Sequence, residues 1–165
     1  MRLSQRLTAT ALLATSSLSF AQSFPIEHFY AGIGINRNDI DVNRVDDATG
    51  LQILVGYEFE QGVQNTPALV FAAEVGYLDT GDFDGPGNFE IDDAKGIWAN
   101  GVATYNINEN FAALGRAGLD FGDDDGLMIG FGGQFEFNDA FGVRLEYVIR
   151  DDIDSLQLNG IYYFE

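Results

Sequence analysis

The chain has 165 residues, enough for one domain with a substantial core, and carries 26 Asp and Glu against 8 Lys and Arg, a formal charge of −18. That charge excludes the basic footprint of a nucleic-acid binder, and the lack of any Cys excludes both a disulfide framework and a thiolate metal site. A hydrophobic content of 46% with 13% aromatics is too high for a disordered segment.

Residues 1–21 read as a secretory signal peptide. Arg2 and Arg6 precede the apolar run "LTATALLATSSLSF", and Ser19 and Ala21 supply the small residues before a cut. The remaining domain is expected over 22–165. No later stretch approaches 18 consecutive apolar residues, so no membrane-spanning helix is predicted. Hydropathy does not register the strands of a barrel, because they are only half apolar.

From residue 28 onward the period is two, the spacing of strands. The first strand, 28–37, sets Phe29, Ala31, Ile33 and Ile35 against Tyr30, Gly32, Gly34 and Asn36. The second, 50–60, opposes Leu51, Ile53, Val55, Tyr57 and Phe59 to Gln52, Leu54, Gly56, Glu58 and Glu60. In the third, 68–78, Leu69, Phe71, Ala73, Val75 and Tyr77 oppose Val70, Ala72, Glu74 and Gly76. The fourth, 95–107, places Ile97, Ala99, Ala103, Tyr105 and Ile107 opposite Trp98, Asn100, Val102 and Thr104. The fifth, 111–121, has Ala113, Ala117, Leu119 and Phe121 against Leu114, Arg116, Gly118 and Asp120. The sixth, 127–137, has Leu127, Ile129, Phe131, Phe135 and Phe137 against Gly130, Gly132, Gln134 and Glu136. In the seventh, 141–150, Val143, Leu145, Tyr147 and Ile149 alternate with Arg144, Glu146, Val148 and Arg150. The eighth, 155–164, sets Leu156, Leu158, Tyr162 and Phe164 against Ser155, Gln157, Asn159 and Tyr163.

The connections alternate in kind. Those after strands one, three, five and seven hold 16 of the 26 acids, whereas those after two, four and six read "QGVQNTP", "NEN" and "NDA". One end of the molecule is therefore strongly anionic. At the other end "YNINENF" (105–111) and "FEFNDAF" (135–141) repeat one pattern: aromatic, any, apolar, Asn, acid, any, Phe. Tyr57, Phe59, Tyr105, Phe135, Phe137, Tyr162 and Phe164, with Ile107, would form a ring of side chains at one height. An aromatic girdle at a membrane–water boundary has this form.

The apolar row could face lipid or fill the interior of a soluble, lipocalin-like barrel. Two features favour lipid. The apolar row is bulky, while the opposite row is rich in glycine (32, 34, 56, 76, 118, 130 and 132). An eight-stranded lumen is just wide enough to be filled by side chains, which suits small residues plus a few long ionic ones. The last strand also runs to Tyr162-Tyr163-Phe164 with only Glu165 beyond. The ionic row Glu58, Glu74, Arg116, Asp120, Glu136, Arg144, Glu146 and Arg150 would then lie inside. There it must pair, because an unpaired buried charge is costly.

The leader, eight alternating strands and aromatic C-terminus, with phrases such as "ENFAALGRAGLDFG" and "NDAFGVRLEYVIR", resemble the OmpA-type small outer-membrane barrels, which include OmpX-like adhesin and surface-antigen barrels, over residues 24–165. The resemblance implies an all-β fold: an eight-stranded antiparallel up-and-down transmembrane β-barrel in a Gram-negative outer membrane. It also implies that Phe164 serves as the signal read by the assembly machinery. The peptidoglycan-binding domain of the larger members has no counterpart in this sequence. Some barrels of this kind modify lipid A with a His-Ser-acid set, but His28 is the single His and no late strand supplies one, so no catalysis and no cofactor are expected.

The loop "DTGDFDGPGNFE" (79–90) fails the EF-hand frame, since Thr80 and Ile91 fall where ligands belong. Weak Ca²⁺ binding at the acidic loops, by Asp82, Asp84, Asp92 and Asp93 or at "GDDDG", is the metal expectation. The sequence thus reads as a monomeric surface-interaction scaffold in contact with outer-membrane lipid and lipopolysaccharide, its lumen plugged by ion pairs. A narrow low-conductance channel and a soluble periplasmic binding barrel are the alternatives.

Overall fold

The computed structural model describes residues 25–40, 47–59, 68–85, 89–91 and 93–165. The signal peptide expected over 1–21 lies outside the described residues. After a short 3-10 turn, Ile26–His28, the described residues form ten strands: β1 (Phe29–Ile40), β2 (Ala48–Glu58), β3 (Leu69–Asp79), β4 (Phe83–Gly85), β5 (Phe89–Ile91), β6 (Lys95–Asn106), β7 (Phe111–Asp120), β8 (Gly126–Asn138), β9 (Phe141–Ile149) and β10 (Ile153–Tyr163). Eight of them close into a barrel in the order β1-β10-β9-β8-β7-β6-β3-β2, and every pairing is antiparallel. β1 pairs with β10, so the sheet has no free edge.

The expected fold class is therefore the observed one, with one addition. β4 and β5 form a separate two-stranded sheet within the segment read as loop, Phe83 opposite Ile91. Three-residue strands are too short to show a period.

The short turns explain the sequence repeat. Asn108 Oδ1 accepts hydrogen bonds from the N–H groups of Asn110 (3.0 Å) and Phe111 (2.9 Å). Asn138 Oδ1 does the same for Ala140 and Phe141, both at 3.0 Å. In each case one Asn side chain satisfies the backbone that reverses the strand, so Asn recurs three residues before the Phe that opens the next one.

Side-chain parity follows the alternation on all eight wall strands. On β9, Leu145 is 51% exposed whereas its neighbour Arg144 is 2% exposed. Ile33, Ile53, Val75, Ile97, Leu119, Ile129 and Leu158 all point outward, and Gln52, Glu74, Asn100, Arg116, Gln134, Glu146 and Gln157 are buried inside. A soluble ligand-binding barrel would show the reverse. The interior is not purely polar, however: Trp98, Met128, Val148, Leu54 and Leu114 are buried there with the ions.

Inward glycines act as sockets for large neighbours. A Cβ on Gly56 would lie 2.1 Å from the Tyr30 ring, and one on Gly76 would lie 2.3 Å from the Trp98 ring. At Gly132 it would meet the Leu145 carbonyl oxygen at 2.1 Å. Outward Gly133 is different, since its nearest such contact is an ordinary 3.7 Å. Gly76→Ala should therefore destabilise the barrel by about 1–3 kcal/mol through overpacking. Gly133→Ala should change stability by less than about 0.5 kcal/mol. Urea unfolding in lipid vesicles, followed by tryptophan fluorescence, checks both.

Candidate functional site: an ionic lumen and an aromatic rim

Parity delivers Glu74 from β3, Arg116 from β7, and Arg144 and Glu146 from β9 to the lumen. Arg116 Nη2 lies 2.7 Å from Glu146 Oε2 and 3.0 Å from Glu74 Oε2. Arg144 Nη1 pairs with Glu74 Oε1. In the order of the barrel β9 and β3 are four strands apart in either direction, so the Arg144–Glu74 pair joins opposite walls. These four side chains are buried to within 2%.

Uncharged groups orient the cluster. The Tyr30 hydroxyl donates to Glu74 Oε1 at 2.6 Å. Arg144 Nε donates to Gln134 Oε1 at 2.9 Å, and Gln134 Nε2 donates onward to the Tyr163 hydroxyl at 2.7 Å and to Glu136 Oε1 at 2.8 Å. Each guanidinium also stands over a ring: Arg116 is 5.2 Å from the Trp98 centroid and Arg144 is 5.5 Å from that of Tyr30.

A second polar group lies toward the acidic loops. Arg150 Nε donates to Asp120 Oδ2 at 3.2 Å and Arg150 Nη1 to Ser155 Oγ at 2.7 Å; the Ser155 hydroxyl donates to Asn38 Oδ1 at 2.6 Å. Between β2 and β10, Gln52 Nε2 donates to Gln157 Oε1 at 2.9 Å and to Asn159 Oδ1 at 2.6 Å.

Among the eight ionic residues singled out from the sequence, six are thus joined in ion pairs and two are not. Glu58 is only half-buried, and Glu136 takes a hydrogen bond from Gln134 in place of a cation. Both sit at the turn end, where the lumen opens and solvent can serve as partner. Among the described residues three buried arginines (116, 144, 150) face three buried wall carboxylates (74, 120, 146), with Asp124 of the β7–β8 turn a fourth buried acid at the loop end.

The aromatic residues at the turn end contact one another along each strand. Tyr57 and Phe59 have centroids 5.6 Å apart, Phe135 and Phe137 5.1 Å, and Tyr162 and Phe164 5.2 Å. Three further rings join them: Phe29 against Tyr57 at 5.0 Å, Phe111 against Phe135 at 4.7 Å, and Phe141 against Tyr162 at 5.0 Å. These open alternate wall strands and are absent from the girdle expected on sequence. For Phe111 and Phe141 the Asn turn that precedes each was the available signal, since antiparallel pairing places the Phe directly opposite a ring near the end of the following strand, Phe135 and Tyr162 respectively. Tyr105 stands opposite Leu69 and Ala113. His28 packs its ring 5.7 Å from that of Tyr57.

The chain matches the family described as outer membrane protein beta-barrel domain over residues 7–162. It belongs to that family. No curated protein matches it. Among solved structures, a de novo designed transmembrane β-barrel is 11% identical with a TM-score of 0.54, covering 84% of this chain and 96% of that one. Ail, the attachment invasion locus protein of Yersinia pestis, is 19% identical with a TM-score of 0.52, covering 82% and 95% respectively. Another Ail structure, in complex with the heparin analogue sucrose octasulfate, is 17% identical with a TM-score of 0.52 over the same shares. At these identities the likeness shows the fold.

For a member of the outer membrane barrel family, the exposed aliphatic belt is the face toward acyl chains. No helix among the described residues is long and apolar enough to cross a membrane. Among the described residues no group of three or more His, Asp or Glu is placed to hold a metal ion. The side chains of Asp84 and Asp92, two of the calcium candidates, are outside the described set.

Two predictions arise from this geometry. Arg144→Ala leaves Glu74 and Glu146 with one cation between them, and should cost about 3–5 kcal/mol. Arg37→Ala breaks an exposed pair with Asp47 and should cost less than about 1 kcal/mol. Thermal shifts of the two variants in detergent compare them directly. A double-mutant cycle on Phe111 and Phe135 should give a coupling of about 0.5–1.5 kcal/mol, measured by urea unfolding in vesicles.

Proposed function

We propose that this barrel is a membrane-embedded scaffold that presents acidic loops at the cell surface and does not conduct ions. One observation carries the reading: the Arg144–Glu74 pair reaches from one wall of the lumen to the other and is tied to Arg116 and Glu146. An ion entering the lumen would have to separate charges held by rings and hydrogen bonds in a space from which water is largely excluded. The glycine sockets favour the same conclusion, because each is overlaid by a neighbour's side chain and leaves no open passage there.

The strand ends that flank the four acidic connections share one end of the barrel, and we place that end outside the cell with the termini and short turns in the periplasm. The belt then contacts outer-membrane lipid and lipopolysaccharide, and Phe164, whose N–H donates to the Phe29 carbonyl at 3.0 Å, ends the strand read by the assembly machinery. Ail has been crystallised with a sulfated heparin analogue. The loop end of this chain has the opposite preference, since its field would repel a polyanion and attract a cationic partner or divalent ions such as Ca²⁺.

Planar-bilayer recording on the purified barrel tests the plug. The expected result is no steady open level at neutral pH. Steady openings would establish the narrow-channel reading in its place.

A further inference from the structure

In the turn between β7 and β8, Phe121, Asp123 and Asp125 are exposed while Asp124 points inward at the loop end of the lumen. Asp124 at its tip is only 9% exposed. Its Oδ1 accepts the Asp152 N–H at 3.0 Å, while the preceding Asp123 takes the Lys95 N–H on Oδ2 at 2.9 Å. The turn is thereby fastened to the start of β6 on one side and to the β9–β10 connection on the other. The other oxygen of Asp124, Oδ2, is buried without a hydrogen-bond partner among the described residues, and so is Arg150 Nη2.

These two atoms belong to residues lining one small pit, together with Thr80, Lys95, Asp120 and Ile153. Its free space, about 10 Å³ for the centre of a water-sized sphere, is that of a single water molecule. The chemistry of the walls is complementary to such a guest: one carboxylate oxygen needs a donor and one guanidinium N–H needs an acceptor. Burial pushes the Asp124 carboxyl above the usual aspartate range, with the Asp152 N–H and Arg150 pulling it back, as befits a carboxylate short of one partner.

We propose that the pit binds one water molecule, which donates to Asp124 Oδ2 and accepts from Arg150 Nη2, and that this bridge latches the 121–125 turn over the lumen. The latch closes the loop end above Ser155 and Asn38, both fully buried, and shares no residue with the Glu74–Arg116–Glu146–Arg144 cluster. The barrel then has two independent closures, an ionic one across its middle and a hydrated one at its mouth. The outer one can yield, by lifting a five-residue turn, without disturbing the inner one.

The chain has no Cys, so a single introduced thiol reports access cleanly. Ser155→Cys, or Asn38→Cys where the first is poorly folded, is treated with a charged thiosulfonate reagent from the loop side of reconstituted barrel, and heat-modifiable gel migration verifies folding. The thiol should be protected with Asp124 intact, and Asp124→Ala should raise its labelling rate about tenfold or more, the loss of a charge-assisted contact. In the unsubstituted protein, water-selective NMR should show a long-lived water beside the Arg150 side chain, and Asp124→Leu, which fills the pit with methyl groups, should abolish that signal. An unchanged labelling rate in Asp124→Ala would overturn the latch. Absence of the water signal in the unsubstituted protein, or its survival in Asp124→Leu, would overturn the bridge.

Discussion

Eight strands closed on themselves leave a lumen that side chains must fill, and in this chain the filling has to be neutral as well as close-packed. In the wall, Arg116, Arg144 and Arg150 against Glu74, Glu146 and Asp120 meet the first demand, with Asp124 at the mouth the one further buried acid among the described residues. Glycine sockets beneath Tyr30 and Trp98 meet the second. The rest follows from that constraint. Because polar and ionic groups occupy the interior, the aliphatic row has nowhere to go but outward, and a continuous apolar outer surface is stable only against lipid. The fold and the lipid-facing wall are two consequences of one packing problem.

The ionic cluster is also a specificity device. A row of Leu and Met of equal volume could fill the same space, and replacing buried ion pairs in that way is often neutral or stabilising. What the charges add is register. Sliding β9 by one residue along its neighbours would turn Arg144 and Glu146 into the acyl chains and bring Leu145 inside, an error no relaxation repairs. Tyr30 holds Glu74, and Gln134, itself bonded to Tyr163, holds Arg144, so the contact of β9 with β3 across the barrel is oriented by hydrogen bonds on both sides.

The wall was legible in the sequence because strand parity is a local property. Val143 to Arg150 alone shows which residues share a face, and Leu145 with Arg144 shows which face is which once the lipid side is chosen. Contacts across the lumen were not legible. Glu74 and Arg144 are 70 residues apart, and their meeting depends on how strand tilt and stagger set the heights of opposite walls. For the same reason, Glu58 and Glu136 looked equivalent to Glu74 on parity but lie near the turn end, outside the ion pairs. The inward Trp98 and Leu54 lie on the face that parity assigned them, and with Met128 they add bulk to a lumen expected to hold small residues and a few long ionic ones, because a lumen this narrow needs volume as much as charge. At the rim, most of the girdle was visible from the strand ends. Phe29, Phe111 and Phe141 join it where strand pairing sets each opposite a ring of the following strand.

The orientation of the two rows is best tested without altering the chain. In nanodiscs doped with lipid carrying a nitroxide on its acyl tail, methyl resonances of Leu145, Leu156 and Leu158 should broaden. Those of Leu54, Leu114 and Val148, equally apolar but facing the lumen, should stay sharp. Broadening of the second set with sparing of the first would mean that the greasy row points at the barrel axis, which contradicts an ionic interior inside a lipid-facing wall.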